Sequence, residues 1–435
     1  MSHELDRILI SESQADFQNM LSQLRFAVVR AARFRIDSKE NEQLRDIVED
    51  VMKRGDEAVA GYTEKFDGVK LSPGQFRVSK EDLEQAHKRI DRDLLKSLRN
   101  AIENVRSYQK GIFIGDKSEH CGIKYTPIER IGICVPGASA PLPSTGIMCA
   151  VPAQVAGVKE IVVVSPPRYK DNIHPVTLAV CHELGIDEVY RIGGAQAIAA
   201  LTFSTETIKQ VDKIVGPGNQ WVQTAKQLVF GTVGIDSIAG PSEVLIIAND
   251  SANPAWVAAD MLSQAEHAPG SALLFTDSQK LAKNVLEELK KQVEQLERAK
   301  EAIECLKKYG GIAVFKSKDD IVNKANDFAP EHLQIQCGEK SRRIADRIEN
   351  AGAIFIGDYS PVAVGDYWAG PSHTLPTGLN ARFSSALTSN DFIKSTSIIE
   401  YSKEQLAASA EDIIRLAEVE GLDAHAKSVG IRQQG

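Results

Sequence analysis

The sequence predicts an α/β fold with two Rossmann-like, parallel-sheet domains between helical N-terminal and C-terminal segments. Short apolar runs alternate with stretches of helical periodicity from about residue 130 to about residue 356, and this alternation is typical of parallel sheets covered by helices. Helical periodicity dominates before residue 110 and after residue 378. A chain of 435 residues is also too long for one ordinary core, which favours several domains.

The first 110 residues are predicted to be mainly helical. Apolar residues recur there with the period of an α-helix and form two stripes. One stripe contains Leu44, Ile47, Val48, Val51 and Met52, and the other contains Leu94, Leu95, Leu98, Ile102 and Val105. A short strand near residues 76–78 is the one interruption that the pattern suggests.

The strand–helix alternation forms two blocks. The predicted strands of the first block are Ile131–Val135, Glu160–Val164, Glu188–Ile192 and Lys213–Val215, with helices that include Pro175–Leu184 and Gln220–Val229. Those of the second block are Val244–Ile247, Ala272–Phe275, Ile312–Phe315, Leu333–Ile335 and Ala353–Ile356. Short apolar runs suit strands that are buried on both faces of a parallel sheet. Two such blocks suggest an old duplication, although no clean sequence repeat accompanies them.

Residues 283–306 carry apolar side chains near heptad spacing. One long surface helix with a solvated charged face is the simpler interpretation, and a coiled-coil interface is the alternative. Residues 407–420 form the clearest helix of the C-terminal segment. These patterns divide the chain into a helical segment at 1–110, α/β domains at 111–238 and 239–378, and a helical segment at 379–435.

The composition limits the classes of function. The chain has 51 basic and 59 acidic residues, so its formal net charge is −8, and no basic run points to nucleic acid. Its six cysteines are scattered without a C-x-x-C pair, which favours free thiols in a reducing compartment. Residues 1–10 lack an apolar signal core, and four prolines interrupt the charge-free run 131–158, which therefore cannot be one lipid-exposed helix. We expect a cytoplasmic enzyme.

Four Gly/Pro-rich turns lie at or near predicted strand ends, and open α/β sheets bind ligands beyond the carboxyl ends of their strands. The turns are residues 136–141, 193–196, 216–219 and 239–243. Gln196, Asn219 and Ser242 add polar groups to turns that allow a ligand to approach the backbone closely. Ordinary turn chemistry would explain any one of them, but four together favour a binding site. No G-x-G-x-x-G fingerprint is present, so the pattern alone does not predict dinucleotide binding.

The sequence Pro330-Glu331-His332-Leu333 is the strongest indication of catalysis. A carboxylate beside an imidazole can supply two proton-transfer groups to one site. The pair precedes a predicted strand, in a loop, where functional residues concentrate. Four of the nine histidines belong to this motif or to other candidate segments in the second half of the chain, namely His267, His332, His373 and His425.

The remaining candidates are polar residues of the second block and the C-terminal segment. Gln264 and His267 are three residues apart at the end of a predicted helix, 255–267, so one helix face could present both to a metal. A histidine near a helix C-terminus also interacts favourably with the helix dipole, which offers a structural explanation. Asp366 and His373 lie in a Gly/Pro-rich segment after the last predicted strand. His425 follows Glu420 near the end of the chain, where a histidine is usually just exposed.

Taken together, these segments resemble the histidinol dehydrogenase family over most of the chain, from about residue 40 to the C-terminus. The resemblance rests on PGASAPLPST, GGAQAIAAL, GPGN, AGPSEVL, SQAEH, PEHL, GDY followed by SHTLPT, and the terminal Glu420 and His425. Several of these motifs are weak alone, but their order and spacing are very specific. Many members have tyrosine before the V-P-G turn, where this chain has Cys134, so that cofactor contact does not carry over.

The resemblance implies a zinc- and NAD-dependent oxidation of L-histidinol, through L-histidinaldehyde, to L-histidine. It also implies a homodimer in which the C-terminal segment of one subunit completes the site of the other. The implied catalytic residues are Glu331 and His332, and the implied zinc ligands are Gln264, His267, Asp366 and His425. The implied substrate contacts are Ser242, Gln264, His267, His332, Asp366, His373, Glu420 and His425. The implied cofactor contacts are Gln196 and Asn219, which assigns NAD to the domain at 111–238.

Two rival functions remain open at this point. A dehydrogenase of the same scaffold could oxidise a different polar alcohol, but His373, Glu420 and His425 favour histidinol because they would contact its imidazole and amino groups. A zinc hydrolase could use Glu331 to activate metal-bound water. A binding protein without catalysis would not need the Glu331–His332 pair.

Overall fold

The computed structural model describes residues 2–32, 39–115, 122–137, 141–266 and 270–433. Its strands lie where the sequence alternates between apolar runs and helical stretches, and they are parallel in both main sheets, which confirms the predicted α/β class. The strands are β1 (Leu9–Ser11), β2 (Ile123–Pro127), β3 (Arg130–Cys134), β4 (Glu160–Val164), β5 (Glu188–Tyr190), β6 (Lys213–Val215), β7 (Gly234–Ile235), β8 (Glu243–Ala248), β9 (Ser271–Thr276), β10 (Gly310–Val314), β11 (His332–Gln336), β12 (Ala353–Ile356) and β13 (Ile393–Ser397).

Helices separate most of these strands. They are α1 (Phe17–Ala32), α2 (Lys39–Arg54), α3 (Asp56–Asp67), α4 (Lys80–Arg89), α5 (Arg92–Ile112), α6 (Pro143–Val155), α7 (Pro175–Glu183), α8 (Gly194–Phe203), α9 (Gln220–Val229), α10 (Pro254–Ala265), α11 (Gln279–Val293), α12 (Ala299–Tyr309), α13 (Lys318–Phe328), α14 (Ser341–Ala345), α15 (Val362–Tyr367), α16 (Lys403–Val419) and α17 (Asp423–Gly430).

The two parallel sheets share one strand order. The first sheet runs β5-β4-β3-β6-β7, and the second runs β1-β10-β9-β8-β11-β12. Every pairing within them is parallel. If β1 is set aside, the five strands of each block follow the order 3-2-1-4-5, which is the order of a Rossmann-type sheet. The common order agrees with the duplication suggested by the sequence.

Residues on each central strand of the second sheet alternate between two apolar cores. Val244 and Ile246 of β8 pack in one core with α10, α11 and α12. Leu245 and Ile247 pack in another core with α1 and α13. Because the side chains of a strand alternate between faces, a shift of one residue would exchange the two sets. The fit of each set of side chains to its own core therefore fixes the register of β8.

The N-terminal residues join both sheets. Strand β1, which the sequence did not predict, pairs with β10 at the edge of the second sheet. Leu44 and Val51 of α2 enter the core of the first sheet. The suspected strand near residues 76–78 is an isolated antiparallel bridge between Arg77 and Tyr190.

The expectation of one long helix over residues 283–306 was wrong. Helix α11 ends at Val293, and α12 begins at Ala299. The chain turns between them, and Leu289 of α11 and Leu306 of α12 are both fully buried in the same core. A single straight helix could not place both of its halves on this sheet face, so burial of apolar area outweighs helix continuity.

Contacts group the chain into two units. Residues 1–113 and 127–392 form one, which contains both parallel sheets, and residues 114–126 and 393–435 form the other. The second unit contains a ribbon of β2 and β13, with α16 packed against α17. The four-segment division drawn from the sequence stays a prediction. None of the described helices is long and apolar enough to cross a membrane.

A buried ion pair holds the turn that follows β6. The side chains of Lys226 and Asp236 are 1% and 4% exposed and pair directly. The ammonium of Lys226 also donates to the carbonyl of Gly216 at 3.0 Å, while the amide of Gly216 donates to Asp236 at 2.7 Å. Both backbone groups of Gly216 are therefore fixed by one pair of opposite charges.

Replacement of Lys226 by methionine should lower the free energy of unfolding by about 3 kcal/mol or more, because it leaves the carboxylate of Asp236 buried without its cation. Thermal and urea unfolding would measure the loss. The double variant Lys226→Met, Asp236→Asn removes both charges and should recover part of the stability. Equal losses of unfolding free energy in the single and double variants would show that the loss does not come from leaving Asp236 without its cation.

Candidate active site

The Glu331–His332 pair lies at the amino end of the central strand β11. Helix α13 ends at Phe328, and the left-handed backbone of its C-cap residue Ala329 (φ 43°) turns the chain toward the sheet. His332 is the first residue of β11, between β8 and β12. A Cβ at Gly352 would lie 2.6 Å from the carbonyl oxygen of Glu331. Glycine is therefore required where the chain enters β12 against the catalytic pair.

One hydrogen bond determines the tautomer of His332. Its Nδ1 lies 2.9 Å from the carbonyl oxygen of Glu243, which can only accept, so Nδ1 carries the proton. In the neutral imidazole, Nε2 is then an unprotonated acceptor. Among the described residues, Nε2 is buried and has no hydrogen-bond partner. Burial lowers the pKa of His332, so the ring is held in the neutral form that a general base requires.

The carboxyl group of Glu331 is buried beside Ser242. One of its oxygens accepts from the Ser242 hydroxyl at 2.6 Å and from the amide of Glu243 at 2.8 Å. Burial raises the pKa of Glu331 to about 8, although both hydrogen bonds oppose the shift. A carboxyl group with this pKa can take up and release a proton near neutral pH.

Glu243 is a site residue to which the sequence analysis gave no role. Its carbonyl orients His332, its amide binds Glu331, and its carboxyl accepts from the amide of Gly378 at 2.8 Å. Burial raises the pKa of Glu243 to about 8, and the charge of Glu331 acts in the same direction. Its place beside Ser242 in the AGPSE turn was the only signal, because the sequence analysis took Ser242 as the polar group of that turn and began the strand at Val244.

Asp366 lies on the short helix α15, not in a loop as its surroundings suggested. After β12 the chain turns back along β11, where Gln334 donates to the carbonyl of Ser360 at 3.4 Å. Helix α15 then brings a carboxylate oxygen of Asp366 to 3.9 Å from Nε2 of His332. The return of the chain explains how a residue after the last strand reaches the amino end of the sheet.

His373 joins this group from the same excursion of the chain. Its Nε2 lies 3.1 Å from the hydroxyl of Ser144, near the start of α6. Burial lowers the pKa of His373 to about 4, and protonation of His332 would act in the same direction. His373 is therefore neutral at physiological pH and can donate or accept one hydrogen bond. Because α6 follows β3 of the first sheet, this contact connects the carboxyl edge of that sheet to the catalytic pair.

Of the four predicted zinc ligands, Gln264 and Asp366 are described residues of the unit that contains both sheets, and His425 belongs to the second unit. Gln264 is buried near the end of α10, and its amide nitrogen has no partner among the described residues. His267 lies outside the described residues. Among those described, no three His, Cys, Asp or Glu residues group closely enough to hold a metal. Carboxamide and carboxylate oxygens with imidazole nitrogens nevertheless form a donor set that suits zinc, so Gln264 and Asp366 fit the ion.

Glu420 and His425 belong to the second unit. Glu420 ends α16, and His425 lies in the first half of α17. Both side chains are exposed within this unit. They are therefore accessible to another molecule, as the resemblance requires of a segment that completes a partner's site.

The predicted cofactor residues lie at the carboxyl ends of β5 and β6. Gln196, near the start of α8, is 1% exposed, and both of its side-chain polar atoms lack partners among the described residues. Such a group costs free energy unless a ligand satisfies it. The oxygen of Asn219 caps α9 by accepting from the amides of Trp221 and Val222. Its side-chain amide nitrogen is therefore the part that a cofactor would contact.

The first sheet also meets the catalytic pair through the chain before β8. Gln223 of α9 accepts from the amide of Ala239 at 2.9 Å, three residues before Ser242.

Cys134 ends β3 as a buried thiol whose pKa burial raises to about 12. This thiol is neutral and cannot replace the phenolic hydroxyl of a tyrosine as a strong hydrogen-bond donor.

The variant Glu243→Gln should become more stable relative to the wild type as the pH rises. The pKa of Glu243 is raised from 4.5 to about 8, so its contribution is complete below the unfolded value and is lost as the pH rises through the folded value. Melting temperatures at several pH values between 5 and 8.5 test this, with the exposed Glu103→Gln as the control. The hypothesis fails if the difference between Glu243→Gln and the wild type does not change with pH.

Comparisons with known proteins show the family of this chain. A model of the histidinol dehydrogenase family matches residues 32–433. Histidinol dehydrogenase from Rhodopirellula baltica is 46% identical over 399 residues, which cover 90% of this chain and 86% of that protein. Histidinol dehydrogenase from Oceanobacillus iheyensis is 48% identical over 396 residues, which cover 89% of this chain and 92% of that protein.

A solved structure extends the similarity to three dimensions. The crystal structure of histidinol dehydrogenase from Elizabethkingia anophelis superimposes with a TM-score of 0.88 at 34% identity, and the match covers 98% of both chains. The matched region includes both parallel sheets and the second unit. On this evidence, the chain belongs to the histidinol dehydrogenase family.

Proposed function

We propose that this enzyme oxidises L-histidinol to L-histidine through L-histidinaldehyde, in the final steps of histidine biosynthesis. Two NAD-dependent oxidations follow each other in one site, with zinc holding the substrate. Family membership supports the substrate. The single structural observation that carries the chemistry is the neutral, buried His332, whose Nε2 is unprotonated and has no partner among the described residues.

In the first step, Nε2 of His332 takes the hydroxyl proton of the alcohol. The carbonyl of Glu243 holds Nδ1–H throughout, so the ring cannot present its protonated nitrogen to the substrate. Loss of this proton makes it easier for the carbon that carries the oxygen to release hydride. Asp366, 3.9 Å from Nε2, stabilises the imidazolium that forms.

In the second step, the aldehyde must be hydrated before it can be oxidised. Glu331, in its ionised form, takes a proton from the water that attacks the aldehyde, and the imidazolium of His332 returns its proton to the aldehyde oxygen. His332, neutral again, then takes the second proton from a hydroxyl of the hydrate as hydride leaves the same carbon. The pKa of Glu331 near 8 makes it a stronger base than an ordinary carboxylate. Ser242 holds one oxygen of Glu331 in place. Retention of the aldehyde in the buried site prevents its release between the steps.

The two cofactors have distinct places in this proposal. Zinc would be held by Gln264, His267, Asp366 and His425 of the partner subunit, and it would supply a Lewis acid for the substrate's imidazole and amino nitrogens. NAD would supply the hydride acceptor at the carboxyl edge of the first sheet, near Gln196 and Asn219. The unpartnered carboxamide of Gln196 supports that place. His373 and Glu420 would bind the ends of the substrate.

A homodimer with shared sites is supported by exposed apolar side chains. In the second unit, Ile399 and Val419 are each 83% exposed, and Leu416 is 66% exposed. In the first unit, Tyr359 is 86% exposed and Phe383 is 81% exposed. Large apolar side chains that are this exposed are candidates for burial at a subunit interface. Free, buried cysteines among the described residues support a cytoplasmic location.

Turnover of L-histidinol should yield two NADH for each histidinol consumed. A chelator should abolish the activity, and added zinc should restore it. Absorbance at the NADH band, together with chromatography of the product, measures both quantities. One NADH per substrate with free aldehyde would contradict the two-step assignment. Absence of NADH, with cleavage of an amide or ester, would support a zinc hydrolase instead.

The variant His332→Asn should lose turnover and keep its zinc, because it removes the base but no proposed ligand. His425→Asn should lose both. When the two inactive variants are unfolded and refolded together, random pairing should restore about a quarter of the wild-type activity, since each heterodimer has one intact site. Each variant refolded alone is the control. No recovery would contradict sites shared between subunits, and loss of zinc from His332→Asn would make His332 a ligand.

A further inference from the structure

A cavity of about 390 Å³ lies at the carboxyl edge of the second sheet, among the ends of β8, β9 and β11. Neither the catalytic pair nor any other residue of the proposed mechanism lines it. In volume it falls in the range of small-molecule pockets. Its position, composition and charge together point to a ligand.

The position is the topological switch point of the second sheet. From β8, the chain goes on to β9 on one side, and β11 lies on the other. Ligands of open α/β sheets bind in the crevice between two such strands, beyond their carboxyl ends. Asn249, directly after β8, and Cys337, directly after β11, both line the cavity.

The cavity is separated from the candidate active site by the length of a strand. Ser242 and His332 lie at the amino ends of β8 and β11, whereas Asn249 and Cys337 lie at the carboxyl ends. Five or six residues of β-strand span roughly 17–20 Å. A ligand in the cavity therefore does not overlap the substrate.

The inner walls of the cavity are apolar. They include Ile247, Ile321, Val322 and Ile344. Ile247 and Ile321 belong to the core that contains α1 and α13, and Val322 is also buried. Aliphatic walls of this kind accommodate a flat ring.

The rim of the cavity is basic although the whole chain is acidic. Four cations and two carboxylates line it. Lys318 pairs with Asp277 at 3.3 Å, and Arg347 pairs with Asp319 at 2.8 Å. Lys340 and Arg343 have no ion pair within the part of the chain that the structure describes. These two cations lie three residues apart, beside and on α14, and are available to a phosphate.

Asp277 occupies a position that is informative in nucleotide-binding sheets. In dinucleotide-binding halves, an acidic residue about 20 residues beyond the first strand–helix turn binds the ribose hydroxyls. Here the first turn is residues 249–253, and Asp277 directly follows β9. Its carboxylate therefore follows the second strand of the block that begins with β8, as in a dinucleotide-binding half, and it lines the cavity.

The turn after β8 argues against a dinucleotide. It contains no glycine, and the side chain of Asn253 caps the first turn of α10 by accepting from the amide of Ala255. A pyrophosphate needs glycine and free amides at this place. The cations near α14 instead offer a place for one phosphate group at the other side of the cavity.

We propose that this cavity binds a nucleoside monophosphate, separately from the catalytic cofactor. The base lies against the aliphatic walls, the ribose hydroxyls bind Asp277, and the phosphate binds Lys340 and Arg343. Adenosine monophosphate is a suitable probe of this chemistry.

Calorimetric titration of the full-length protein with adenosine monophosphate tests the proposal. The double variant Lys340→Gln, Arg343→Gln should bind it at least about tenfold more weakly, while the KM for NAD remains unchanged. The matched control is Arg342→Gln, which removes an exposed cation from the same short helix but not from the cavity lining, and it should bind like the wild type.

The ligand itself is tested with two analogues. Adenosine and 2′,3′-dideoxyadenosine monophosphate should both bind the wild type more weakly, because one lacks the phosphate and the other the ribose hydroxyls. Equal binding by the double variant would overturn the proposal, as would binding of inorganic phosphate as tight as that of the nucleotide. A parallel rise in the KM for NAD would identify the cavity as the cofactor site and would overturn its separate role.

Discussion

The hydrogen bond between Nδ1 of His332 and the carbonyl of Glu243 is the interaction on which the site depends. It joins two adjacent parallel strands at their amino ends and is buried, so water cannot compete with it. Because a carbonyl oxygen only accepts, this bond fixes both the tautomer and the direction of the ring. The same residue places its amide on Glu331 and its carboxyl on Gly378. One strand end therefore holds His332, Glu331 and the loop that follows His373.

The use of a sheet edge differs between the two halves of the protein. In the first sheet, the turns with Gln196 and Asn219 follow the strands, as expected for a parallel sheet. In the second sheet, Glu331 and His332 lie at the amino end of their strand, β11. The contact between His373 and Ser144 connects the carboxyl edge of one sheet with the amino edge of the other. Two halves with the same strand order thus contribute opposite ends to one site.

The sequence predicted the elements that local pattern determines. The bounds of β4, β6, β12 and α9 agree with their predictions because apolar runs and turn residues mark both ends. Pattern could not find the break between α11 and α12, since no proline or glycine marks residues 294–298 and only packing on the sheet requires it. Glu331 and His332 were visible as neighbours in sequence. Glu243 was hidden because its role comes from its backbone and from strands distant in sequence.

The proposed catalytic pair and two of the proposed substrate contacts come from different segments of the unit that contains both parallel sheets. Glu331 and His332 are fixed by β8, β11 and the glycine at position 352, whose constraint is steric and independent of any substrate. Asp366 and His373 come from the excursion that leaves β12, outside the strand pairings. Apart from Asp366 and Gly378, which contact His332 and Glu243, residues of this excursion can therefore change without loss of the contacts that hold Glu331 and His332. Changes elsewhere in that excursion would alter the surroundings of the substrate, while Gly352 and Glu243 keep Glu331 and His332 in place.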